Sequence, residues 1–253
     1  MDLPLLENDL TTDGLIQPAL VTRKLQADIP AVVVLCFFPE VVAALGGAGG
    51  SQVCRLSSER GHTPVWEIEL GGTRLAVMQP GVGAPLSAMS FEELIALGGR
   101  RFVAVGGAGA LVPELVLGHA VIVESAVRDE GTSFHYLPPG RVVDADPHGV
   151  AVLEATLDAA GVPYRTARTW TTDAVYRETR SRVDRRVAEG CIVVEMEASA
   201  FIAVARYRDV RFAQLLLAAD SLAGPAWEHR GWTTAREARE GMFRLAATAA
   251  TLL

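Results

Sequence analysis

Cys191-Ile192-Val193-Val194-Glu195-Met196-Glu197-Ala198-Ser199-Ala200 decides the fold. The apolar run Cys191–Val194 reads as a buried strand. Two carboxylates follow it, two residues apart. In a strand such residues face the same side. If a helix starts there, both acids lie at its N-terminus, where negative charge is favoured. Either way the acids stand at the C-terminal end of a central strand, where open α/β sheets build ligand sites. A carboxylate accepts two hydrogen bonds at once, which suits a diol. The competing reading is a pair of solvated acids at a helix start. The apolar flanks count against it, because burying unpaired carboxylates is costly.

Outward from this stretch, apolar runs recur at 31–38, 73–78, 102–105, 120–123 and 212–218. Helical patterns lie between some of them. Ser90–Gly98 has a serine to cap it, early acids and a terminal glycine. Val150–Ala160 ends before Gly161 and Pro163, and Ala198–Arg206 and Ala235–Leu252 are alanine-rich. Strands alternating with helices predict an α/β chain, a single three-layer α/β/α domain around a mixed sheet. Residues 1–28 read as an N-terminal extension and 29–253 as the domain.

The chain has 253 residues, is 50% hydrophobic and carries a net charge of −7. An acidic balance argues against nucleic acid, whose phosphates need a basic face. No stretch is long and charge-free enough to span a bilayer. The acidic Met1–Asp13 segment lacks the basic and apolar regions of a secretory signal. Cys36 and Cys191 sit in apolar runs, as buried reduced thiols do. A cytoplasmic location is expected. The histidines are scattered, and neither a metal site nor a cofactor is expected. The arginines at 177, 180, 182, 185 and 186 alternate with Glu178 and Asp184 and read as a solvated helix face.

Several segments resemble the nucleoside phosphorylase family, which contains uridine phosphorylase, purine nucleoside phosphorylase and the methylthioadenosine nucleosidases. Glu195-Met196-Glu197 is similar to its Glu-Met-Glu signature. Ala76–Pro85, with Gly83, resembles its strand and glycine turn. Phe102–Leu111, with Gly106, Gly107, Ala108 and Gly109, resembles its strand and Gly-Thr-x-Gly loop. Ala126–Tyr136 and Trp170–Thr179 resemble its uridine-phosphorylase branch. Leu215–Ser221 resembles the strand that brings an acid to purine bases. The order and spacing of these pieces carry the resemblance from Ile29 to the C-terminus.

The resemblance implies cleavage of an N-glycosidic bond. Glu197 would accept from the ribose hydroxyls, with Met196 beneath the sugar and Glu195 beside them. Asp220 would be the acid at a purine-like base, and Trp170, Val175 and Tyr176 the wall of the base pocket. A helix N-cap is the competing role for Asp220. The family's phosphate site is altered. Phe37 stands for a glycine, Val41 and Ala104 for arginines, and Gly107 for a threonine. Only the amides of Gly106 to Gly109 and an arginine lent by a neighbouring subunit, Arg60 or Arg55, remain for an anion. The loss tilts the expectation to hydrolysis, with Glu40 as general base. Glu40 fits equally as an acid in a helix's first turn. Phosphorolysis at a rebuilt anion site and a non-catalytic nucleoside-binding protein are the alternatives. The family also implies a homodimer or a ring of dimers.

Overall fold

The computed structural model describes residues 3–7 and 9–253. The reading of the N-terminal segment at Met1, Asp2 and Asn8 lies outside the described residues. In chain order the main elements are α1 (Pro18–Thr22), β1 (Val32–Cys36), α2 (Pro39–Ala44), β2 (Ser51–Ser58), β3 (Gly61–Leu70) and β4 (Thr73–Met78). Then come α3 (Ala84–Ala96), β5 (Arg101–Ala110), β6 (Ala120–Asp129), β7 (Val142–Asp144), α4 (Pro147–Ala159) and β8 (Tyr164–Thr172). The chain ends with α5 (Arg180–Ala188), β9 (Cys191–Glu195), α6 (Ala198–Tyr207), β10 (Arg211–Ser221) and α7 (Arg236–Leu252).

β1 lies between β4 and β5, parallel to both, with Val34 level with Val77 and Val103. Its period-two alternation builds two cores. Val33 and Leu35 pack with Phe91 and Leu94 of α3 and Phe201 of α6. Val32, Val34 and Cys36 pack with Leu153 and Leu157 of α4 and Ala246 and Ala250 of α7. A strand apolar on both faces needs a helical layer on each side. The three-layer mixed α/β architecture expected from the sequence is the one observed.

One half of the sheet curls into a ring. β5 pairs with β10, β10 with β6, β6 with β8, β8 with β9, and β9 returns to β5. The β5–β10, β6–β8 and β8–β9 pairings are parallel, and the β10–β6 and β9–β5 pairings antiparallel. The glycines of β5 permit this closure. A Cβ on Gly109 would stand 2.8 Å from Leu222 and 3.0 Å from Val194, and one on Gly106 would stand 3.1 Å from the Phe37 ring. The glycine segment expected as a loop after the strand is therefore strand up to Ala110.

Other expectations change in detail. Ser90 does not cap a helix. α3 starts six residues earlier, at Ala84, and the Ser90 hydroxyl donates back to the Pro80 carbonyl at 3.1 Å. β2 and β3 carry no apolar-run signal because only Leu56 and Val65 among their residues are buried. β8 was hidden by its threonines and arginines, yet Thr169 to Thr172 are buried. The arginine run is only partly a solvated face: Arg177, Arg180 and Arg185 are exposed. Arg186 is buried, and Arg182 and Arg186 both pair with Asp129 over the Trp170 ring.

Candidate active site

Glu195 ends β9, level with Thr171 on β8. The Thr171 hydroxyl donates to its carboxylate at 2.6 Å, and Thr169 lies at 3.4 Å. The other oxygen accepts the backbone N–H of Glu197 at 2.8 Å and of Ala198 at 2.6 Å. Glu195 therefore caps α6 from inside the sheet. Glu197 occupies the residue before that helix, and its carboxylate accepts the Gly83 N–H at 2.5 Å. Gly83 stands at φ +97°, a left-handed conformation that suits glycine. So the two acids differ in role. Glu195 is consumed by donors, whereas Glu197 keeps an oxygen for a ligand. Burial pushes both carboxyls upward. The donors on Glu195 offset this, while Glu197 is pushed up to about 8 by burial and then by the Glu195 charge.

These acids open on a cavity of about 660 Å³, large enough for a nucleoside-sized molecule. One side is the β5 backbone at Gly106, Gly107, Ala108 and Gly109, with Val194 and Met196 of the acidic segment nearby. At the β10 end stand Asp220 and Leu222, with Val175, Tyr176 and Glu178 from the segment before α5. The Trp227 indole N–H donates to Asp220 at 2.6 Å. Glu178 is pushed up to about 7, first by burial and then by the neighbouring Asp220 charge, with Arg182 opposing.

The opposite end is aromatic. Phe37 lies against Gly106, and Trp232 lies against Gly107. Phe38 and Gln214 complete that wall. The Gln214 amide is buried, and its oxygen has no hydrogen-bond partner in the protein. Among the described residues the cavity lining includes Glu178, Glu195, Glu197 and Asp220 but no lysine, arginine or histidine.

The residues expected at the site divide accordingly. Glu195, Met196, Glu197, Gly106, Gly107, Ala108, Gly109, Val175, Tyr176 and Asp220 are brought together around the cavity. Asp220 does not cap a helix; it lies within β10. Gly83 reaches the site only through its N–H on Glu197. Trp170 is fully buried away from the cavity, with its indole N–H on Asp129 at 2.9 Å, so it is not a wall of the base pocket.

Glu40 does not line the cavity either. It forms a two-pronged ion pair with Arg239 of α7, at 2.5 and 2.9 Å. Arg239 is buried and lies over the Phe38 and Trp232 rings. Both oxygens are taken up by Arg239, away from the cavity, so the general-base role fails on geometry.

Arg60 lies in the β2–β3 turn with its guanidinium against Gly81, outside its own chain's cavity. Sequence reasoning missed Glu178, Gln214, Trp227 and Trp232 as lining residues. Glu178 follows Tyr176 by two residues in the segment assigned to the base pocket. It was instead grouped with the arginines around it.

No helix among the described residues is long and apolar enough to cross a membrane. No group of three or more His, Cys, Asp or Glu among them is placed to hold a metal. Cys36 and Cys191 are buried free thiols, each pushed up to about 12 by burial.

Several known proteins are similar to this chain. Residues 31–253 match the model of the phosphorylase superfamily. A uridine phosphorylase of Thermococcus kodakarensis is 35% identical over 105 residues, which cover 42% of this chain and 38% of that protein. A uridine phosphorylase of Escherichia coli is 26% identical over 171 residues, covering 62% of this chain and 67% of that protein. A guanosine phosphorylase of Halorubrum lacusprofundi is 29% identical over 140 residues, covering 55% and 58%. The first of these matches spans well under half of the relative's length.

Among solved structures, purine nucleoside phosphorylase from Toxoplasma gondii, in complex with immucillin-H, superposes with a TM-score of 0.76. It is 20% identical, and the match covers 89% of this chain and 91% of that one. The shared fold, the match over nearly the whole chain and the acidic pair at the end of β9 together make the chain a member of the phosphorylase superfamily, with the nucleoside phosphorylase fold.

Proposed function

We propose that this protein is an enzyme that cleaves the N-glycosidic bond of a purine-like nucleoside, with water rather than phosphate as the nucleophile. The single observation carrying the choice of nucleophile is the set of carboxyls and the absence of cationic side chains around the cavity among the described residues. A phosphate bearing nearly two negative charges would find no guanidinium or ammonium in the cavity lining to offset them. Water carries no such penalty.

The rest of the geometry fits nucleoside cleavage. The transition state places positive charge on the sugar and negative charge on the leaving base. Glu197, held by the Gly83 N–H, keeps an oxygen for the ribose hydroxyls. Met196 offers an apolar surface beside it. Asp220, oriented by Trp227, stands at the base end. The relatives whose names are phosphorylases support the bond that is cleaved. The aromatic wall of Phe37, Phe38 and Trp232 supports the change of nucleophile.

Incubation with purine, pyrimidine and 5′-modified nucleosides, read by chromatography, tests the reading. Free base is expected from purine nucleosides, and Glu197→Ala is expected to abolish its release. Full release by that variant overturns the ribose assignment. A homodimer or a ring of dimers is proposed for the assembly, on the family's precedent, with Arg60 in the exposed β2–β3 turn as the residue available to a neighbouring copy.

A further inference from the structure

We propose that Gln214 holds the water that attacks the sugar, at the end of the cavity away from Asp220. The proposal rests on the hydrolytic reading above and adds the residue that positions its nucleophile.

Gln214 lies in β10 on the face that carries Phe212 and Leu216. It is 2% exposed, and it lines the cavity with Phe37, Phe38 and Leu216. The neighbouring strand offers small residues there: Ala104 is level with Gln214, and Gly106 with Leu216. Neither the oxygen nor the NH2 of the amide has a partner among the described residues. A terminal amide both accepts and donates hydrogen bonds, and a buried polar group left unpaired is costly. With no bond to the protein to break, the amide is free to turn its oxygen to the cavity. Such a group calls for a small polar molecule, and a water fits.

Position decides which water. Asp220 stands further along the same strand, roughly 20 Å from Gln214 at the rise of a β-strand. A nucleoside with its base at Asp220 therefore leaves the Gln214 end to another occupant. Attack on C1′ comes from the face of the ribose opposite the base, which also carries the 2′- and 3′-hydroxyls. A water between Gln214 and that face donates one O–H to the amide oxygen and the other to a sugar hydroxyl, and aims a lone pair at C1′. The C1′–N bond breaks with its electron pair leaving on the base, and the water oxygen bonds to C1′. The water sheds one proton to solvent and the base takes one up, so the products are ribose and free base. A neutral amide orients an attacking water without deprotonating it. That suits a cavity from which Glu40 is held away by Arg239.

The test is cleavage of a purine nucleoside by the wild type, Gln214→Met and Gln214→Ala, with methanol added as a competing nucleophile. Gln214→Met keeps the length of the side chain and removes its hydrogen bonding. Its kcat is expected to fall about 10- to 100-fold with KM unchanged, because the nucleoside itself is held by other residues. Its melting temperature is expected to be no lower than that of the wild type, since an unpaired amide leaves the interior. The share of product formed as methyl riboside is expected to rise in both variants, because water is no longer held in place. A merely structural role would slow the reaction without moving that share. An unchanged kcat or an unchanged methyl riboside share in both variants overturns the proposal and leaves hydrolysis standing. So does a raised KM at unchanged kcat, which would put Gln214 on the sugar. A marked loss of stability in both variants makes the amide structural and also overturns it. Release that requires phosphate, or no release of base at all, overturns the hydrolytic reading and this proposal with it.

Discussion

Glu195 places Glu197: one oxygen of its buried carboxylate accepts the Glu197 backbone N–H at 2.8 Å. The same oxygen accepts the Ala198 N–H, and Thr171 donates to the other. The first acid is thus a cap for α6, and the second is the one left facing the cavity. Glu195→Ala strands two helix N–H groups and a threonine hydroxyl. It is expected to cost roughly 2–5 kcal/mol, seen as a lower denaturation midpoint, together with weaker nucleoside binding. Glu197→Ala is expected to lose binding while staying folded. A Glu195→Ala protein of unchanged stability would contradict this division of labour.

Glu197 carries a stability cost that depends on pH. Its carboxyl is pushed from about 4.5 in the open chain to about 8 in the fold. Such a group favours the folded state fully below its unfolded value, and that contribution is lost as pH rises through the folded value. The penalty therefore builds between pH 4.5 and 8. Glu197→Gln removes it and is expected to be more stable than the wild type at pH 8, on the order of 2 kcal/mol. Little difference is expected at pH 4.5. Urea melts of both proteins across this range check the sign; a variant less stable at pH 8 would contradict it.

The Glu40–Arg239 pair makes a contrary prediction to a catalytic base. Arg239 is buried, and its remaining donor has no partner in the protein. Glu40→Ala leaves that guanidinium uncompensated, at a cost of roughly 3–5 kcal/mol. Thermal melts are expected to fall markedly, while turnover per folded molecule persists at low temperature. Unchanged stability with lost turnover would restore the catalytic role.

Arg180 links two cavity-lining segments through backbone carbonyls at an exposed site. Exposed pairings contribute little to global stability, so Arg180→Ala is expected to shift it by under about 1 kcal/mol. Its effect is expected in nucleoside affinity, because both of the segments it joins line the cavity. Titration calorimetry and a melt on the same variant separate the two.

Much of the fold was legible because its central strands are apolar on both faces. Val32–Cys36, Thr73–Met78 and Cys191–Val194 announce themselves in that way. The polar strand Tyr164–Thr172 did not, since its buried threonines are satisfied by partners such as Glu195, which sequence spacing cannot reveal. The ring closure was equally silent, because it depends on how closely Gly109 approaches Leu222 and Val194.

At the site, Glu195-Met196-Glu197 and Asp220 stood out as acids at the ends of apolar runs. Glu40 misled because an acid in the turn after the first strand looks the same whether it faces a ligand or a buried arginine from the far end of the chain. Glu178 was lost among arginines whose partners lie on other elements.

The most direct test is the identity of the sugar product when a purine nucleoside is incubated with and without phosphate. A cavity lined by carboxyls without cations predicts free ribose, released at the same rate in both conditions. Release that requires phosphate and yields ribose 1-phosphate would contradict the account.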